Sequence, residues 1–212
     1  MNIRLLISAL TVLTLTGCAG SVDYVQPNLD KKVSNEKIIN LSRDQVWNST
    51  IPALSKKFFV INNLDKSSGL INISYSGDPE KYIDCGQISS HLPNIHGDRI
   101  DTFPAAISNK RLQVMVNGHL INEVRKVELN GKVSLSFEEL SPSKTKVTVN
   151  THYIVRRQIT FYSPSSGVPI SNTDTIEFNS DSLASFPAVN DGRATECVGT
   201  GLLENEILNA IN

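Results

Sequence analysis

The chain has 212 residues, with 20 Lys and Arg against 21 Asp and Glu and a hydrophobic fraction of 40%. A near-neutral balance offers no basic surface for nucleic acid, so no nucleic-acid partner is expected. The length suffices for a core that needs no structural metal or cofactor to hold it.

Arg4 is the first charge, and it precedes an apolar run from Leu5 to Leu15 broken only by Ser8, Thr11 and Thr14. A basic start followed by an apolar stretch too short to span a bilayer is a signal peptide over residues 1–17. The run ends in Leu15-Thr16-Gly17-Cys18, which resembles the lipobox of bacterial lipoproteins. The resemblance implies cleavage before Cys18, a diacylglyceryl group on its sulfur and an acylated amine. Several acyl chains anchor stably where one is marginal. Ala19 stands where an aspartate would resemble an inner-membrane retention signal, so the expected location is the outer membrane, facing the periplasm. The lipid on Cys18 is the expected membrane attachment.

Residues 18–40 are polar and aperiodic around Pro27 and read as a flexible tether able to reach about 75 Å when extended. A folded domain is expected over 41–212. It starts with a capping box, Ser42 with Gln45, flanked by Leu41 and Val46 as a hydrophobic staple. Trp47, Ile51, Leu54 and Phe58 then form one apolar helical stripe. Pro52 lies inside that stripe and predicts a kink or two short pieces.

Two strands, Phe59 to Leu64 and Leu70 to Tyr75, flank the turn Asp65-Lys66-Ser67-Ser68-Gly69. A polar loop follows from Ser76 to about Lys110. Leu112, Val114 and Val116 alternate, as do Val127 and Leu129 before Asn130-Gly131, which predicts a hairpin leading into Val133, Leu135 and Phe137. Val147 to Val155 is a long alternating strand, with Ile159 to Tyr162 and Ile176 to Phe178 as two more. A terminal helix is predicted from a Thr195 cap, with Cys197 in its first turn and Val198, Leu202, Leu203, Ile207 and Ile211 on its apolar side. The expected fold class is α+β: a mostly antiparallel sheet with an N-terminal and a C-terminal helix packed on one face, in the manner of a helix-grip.

The segment Ser42 to Tyr75 resembles the repeat unit of BamC-like outer-membrane lipoproteins, which implies a role beside envelope assembly machinery. Tyr82-x-Asp84-Cys85-Gly86 and Cys197-x-x-Thr200-Gly201-x-Leu203-Glu204 resemble paired landmarks of proteobacterial lipoproteins. With Cys18 committed to lipid, Cys85 and Cys197 are an even pair in an oxidising compartment and read as one disulfide, the alternative being two separate buried thiols.

His91 and His96 share the long loop with Asp84, Asp98 and Asp101. They are the nearest approach to a metal site, but lack the helix and glutamate of a metalloprotease, and no metal is expected. Serines occur in neither G-x-S-x-G nor S-x-x-K, and no phosphate-binding glycine loop is present. Arg156-Arg157 reads as a solvated strand end. The chain is therefore expected to be no enzyme but a binding or structural accessory with an envelope protein partner. The alternatives are a carrier of lipid or another hydrophobic ligand, and an envelope hydrolase using His91 or His96.

Overall fold

The computed structural model describes residues 20–29, 34–57, 59–93, 97–116, 118–163, 167–189 and 194–211. Residues 1–17, Cys18, Phe58 and His96 lie outside them, and so do the expectations placed there.

In chain order the elements are β1 (Ser21–Val25), β2 (Glu36–Ile39), α1 (Arg43–Ser55), β3 (Val60–Asp65), β4 (Leu70–Gly77), α2 (Pro79–Tyr82), β5 (Ile83–Asp84), β6 (Gln87–Leu92) and β7 (Arg99–Pro104). There follow β8 (Asn109–Val116), β9 (His119–Ser141), β10 (Lys144–Tyr162), β11 (Ile170–Asn179), β12 (Leu183–Phe186), β13 (Thr195–Gly199) and α3 (Leu202–Ala210).

The spine is the antiparallel pair β9 and β10, 23 and 19 residues long. Each is flanked by two shorter strands placed end to end. β8 and then β4 pair along β9, while β2 and then β11 pair along β10, and β3 pairs with β4. A second sheet runs β1-β6-β7 and a third β12-β13-β5.

The residues alternate with period two, so each long strand has an inner and an outer row. Val127, Leu129, Val133, Leu135 and Phe137 on β9 and Val147, Val149, Tyr153 and Val155 on β10 are buried in one core with the helices. The outer rows are polar and bond laterally: Ser134 donates to Asn72 at 2.9 Å, Asn35 donates to Asn150 at 2.9 Å, and His152 contacts Asn179 and Glu177 at 3.0 Å each. This is the one wet face of an antiparallel sheet.

The capping box at the start of α1 is present. Ser42 accepts from the Gln45 amide and Gln45 accepts from the Ser42 amide. Trp47 and Leu54 are buried, with Trp47 edge-on to Phe137 at a ring separation of 5.3 Å. Pro52 does not divide the helix, which is continuous from Arg43 to Ser55. Asn48, whose carbonyl loses its partner to the proline, is exposed on the same side as Pro52 and can be solvated there. In the β3–β4 turn the Asp65 carboxylate accepts from the Ser67 and Ser68 hydroxyls and the Ser68 amide, which holds its pKa down at about 2.

Several expectations are corrected. The fold is sheet-dominated rather than α+β with two gripping helices. Among the described residues the helices have 13, 4 and 9 residues, hardly more in total than β9 alone. Among the described residues no helix precedes β1 and β2, which come first. The segment expected to be a tether thus carries two strands, β1 paired with β6 and β2 paired with β10. The long loop resolves into α2, β5, β6 and β7.

Asn130-Gly131 makes no turn. β9 passes straight through it, Gly131 pairs with both Tyr153 and Tyr75, and Leu203 of α3 packs over the place a Cβ would take. The terminal helix begins at Leu202 and not near Thr195, because the preceding residues pair as β13 between β12 and β5. Gly199 lies so close to the Tyr153 ring that a Cβ would meet it at 2.9 Å, and Gly201 adopts a left-handed φ of 73°.

Candidate functional site

The two cysteine-containing motifs form one junction. β5 and β13 pair only through Val198 with Asp84 and Gly199 with Ile83, and the Thr200 amide donates to the Tyr82 carbonyl at 2.9 Å. Between them the Cys85 and Cys197 sulfurs are bonded at 2.02 Å, both residues fully buried. The disulfide read from cysteine count and compartment is therefore formed, with Cys197 on a strand rather than a helix. Beside it Lys81 and Tyr82 both reach Glu206 of α3, at 2.5 and 2.8 Å. Burial, then the neighbouring Glu206 carboxylate, push the Tyr82 hydroxyl up to about 12.

The first strand is locked onto this junction. The Tyr24 hydroxyl accepts from the Glu196 amide at 2.9 Å and donates to the Glu196 carbonyl at 3.2 Å. Burial is the main reason its pKa is raised. Gly86, at φ 78°, passes directly beneath β1, and a Cβ there would fall 2.0 Å from the Val25 carbonyl. Only glycine fits both the backbone angle and the crossing. Gly86→Ala is expected to destabilise the protein by about 1 to 3 kcal/mol through strain and displacement of β1. The check is amide hydrogen exchange, which should accelerate at Ser21–Val25 before it does so in β9 and β10; uniform protection would refute the crossing.

A buried polar cluster fixes α3. Tyr153 donates to both carboxylate oxygens of Glu204, at 2.9 and 3.1 Å, and Ser180 donates to the same group at 2.6 Å. Burial first, and then the charge of Glu204, raise the Tyr153 hydroxyl well above its ordinary range. At the other end of α3 the Lys37 ammonium donates to the Leu208 and Ile211 carbonyls at 3.1 and 2.7 Å, satisfying the helix C-terminus where its dipole favours a cation. The cluster has donors matched to acceptors, so its chemistry is that of a clamp.

Of the remaining expected site residues, Cys18 and His96 fall outside the described part. His91, near the end of β6, is half-buried with its Nε2 3.0 Å from Asp98. Among the described residues no group of three His, Cys, Asp or Glu side chains can hold a metal ion, and no helix is long and apolar enough to cross a membrane. Two clefts, of about 440 and 320 Å³, are lined by polar residues, the first by Arg43, Asp44, Lys66 and Glu139, the second by Lys132, Asn150, His152 and Asp181. Such linings suit neither a lipid nor another apolar ligand.

Sequence reasoning missed Arg157. It is not a solvated strand end but an inner-row residue of β10, 3% exposed. Its guanidinium donates to Asp174 at 2.9 Å, to the Pro187 carbonyl at 2.8 Å and to Thr195 at 3.4 Å, and lies 4.4 Å over the Phe186 ring. The signal was parity: Arg157 shares the odd-numbered inward row of Tyr153 and Val155, whereas Arg156 does not.

Comparison with protein-family models, curated proteins and solved structures finds no match for this chain.

Proposed function

We propose that the chain is a lipid-anchored lipoprotein of the bacterial outer membrane, facing the periplasm and serving as a non-enzymatic binding or structural accessory of a cell-envelope complex. Leu15-Thr16-Gly17-Cys18 behind a short apolar leader carries the reading. The Cys85–Cys197 bridge supports it, since such a bond persists in exported proteins and is rare in a reducing cytosol. The polar outer rows of β9 and β10 offer a hydrogen-bonding surface of the kind a protein partner uses at an interface rim.

The test is metabolic labelling with palmitate beside cell fractionation. The unaltered chain should take up label and sediment with outer membranes. Cys18→Ser should lose the label and leave the membrane fraction. Equal fractionation of the two would refute the anchor, and in-cell crosslinking that traps no envelope protein would refute the accessory role.

A further inference from the structure

The start of β1 fixes which end of the molecule faces the anchor. Ser21 pairs with His91 near the end of β6, and Gly20 abuts Met115 near the end of β8. That end gathers the turns β6–β7, β8–β9 and β10–β11, because Leu92 pairs with Arg99, Val116 with His119, and Phe161 with Ile170. Gly20 lies two residues after Cys18, a length of chain that spans at most about 7 Å. A lipid on Cys18 therefore holds this end, and no other, against the bilayer.

The same end is apolar where it has no reason of folding to be. Ile100, Val168 and Ile170 are 67%, 68% and 65% exposed, and Leu120 and Tyr162 are also exposed. They come from four different strands and one turn, yet converge on one end, where Leu120 and Tyr162 close the outer rows of β9 and β10; farther along, from Lys126 to Glu138 and from Lys144 to His152, those rows are polar. Among the described residues of the three turns the single acidic side chain is Asp98, and it is engaged by His91. Little negative charge would oppose anionic headgroups, and Arg99 and His119 stand beside the apolar side chains.

We propose that this end is a membrane-contact surface, with the side chains of Ile100, Leu120, Tyr162, Val168 and Ile170 seated at the boundary between headgroups and acyl chains of the bilayer that holds the anchor. The inference rests on the lipid attachment proposed for Cys18. A tyrosine at such a boundary keeps its ring in the apolar zone and its hydroxyl wet. The domain then lies on the membrane by its turns instead of swinging on a long tether, and its polar sheet rows stand away from the surface for a partner.

The experiment uses the full lipidated chain reconstituted into vesicles of phosphatidylethanolamine and phosphatidylglycerol containing brominated acyl chains. Trp47, on α1, is the one native tryptophan and is buried against Phe137 of β9, so it serves as an internal baseline. A tryptophan is added by Val168→Trp, or by Ile170→Trp as a second version. The control is Leu64→Trp on β3, which pairs through Ile71 with Leu135, far along β9 from Leu120. Bromine should roughly halve the added emission at 168 or 170, the depth expected of interfacial side chains, and leave that at 64 unchanged. Chains that float with the vesicles but show equal or no quenching at the two positions overturn the contact surface and leave the anchor intact. Chains that neither incorporate palmitate nor float overturn both.

Discussion

Replacing Cys85 and Cys197 together by alanine is expected to lower the stability by about 4 to 5 kcal/mol, the chain-entropy value for a closed loop of this length. The two cysteines are 112 residues apart, so the bridge ties α2 and β5 to the far end of the chain across β8 to β11 of the central sheet. Without it the third sheet keeps only two residue pairs between β5 and β13. For a protein of this size the loss corresponds to a fall in Tm of about 10 to 15 °C. Urea denaturation of the unaltered protein with and without reductant, beside the double variant, makes the check. Reduced protein and double variant should unfold together, well before the oxidised form. Coincidence of all three curves would show that the bond stabilises nothing, and would also weaken the inference of an oxidising compartment.

Arg157→Ala is expected to cost about 3 kcal/mol, the low end for a broken buried pair because Asp174 keeps part of its side chain in water, and it also leaves the Pro187 carbonyl without its charged donor. The guanidinium joins three elements at once: Asp174 on β11, Phe186 on β12 and Thr195 on β13. Its loss therefore loosens the third sheet from the spine. Arg157→Lys keeps the charge but not the planar fork, and should recover only part of the difference. The neighbouring Arg156 supplies the contrast. It faces solvent and meets Glu128 at 3.2 Å with both side chains largely exposed, so Arg156→Ala should change stability by less than about 1 kcal/mol. Thermal unfolding of the three variants decides it, and equal effects at 156 and 157 would contradict the burial.

What the residues made legible was local or periodic. Ser42 and Gln45 announced the start of α1 because a capping box is satisfied by four consecutive residues, and Asp65 to Gly69 announced a turn for the same reason. The alternation of Val147, Val149, Tyr153 and Val155 showed a half-buried strand. The same alternation held more than was taken from it at Asn130-Gly131. In a two-residue hairpin residue 129 faces 132 and 127 faces 134, so the apolar partners would have to be Lys132 and Ser134. They are Val133 and Leu135, in phase with Leu129, and that parity already spoke against a two-residue hairpin at this place.

Counting and the expected compartment favoured a bond between Cys85 and Cys197 over two separate thiols, and the structure decided for the bond, while the leader with its Cys18 motif is an expectation of sequence alone. Tertiary structure decided the rest, since a strand is made by its partner and the partner is far away. β1 is a strand because residues 87 to 91 pair with it, and β13 displaces the first turn of a helix because β5 and β12 flank it. Ser21–Val25 does alternate, with Val22 and Tyr24 turned to the core, but five residues are too short a run to reveal a strand before its neighbour is in place. The exposed apolar end is of the same kind: its side chains are scattered between positions 100 and 170, and only the register of four strand pairs brings them to one surface beside the start of β1.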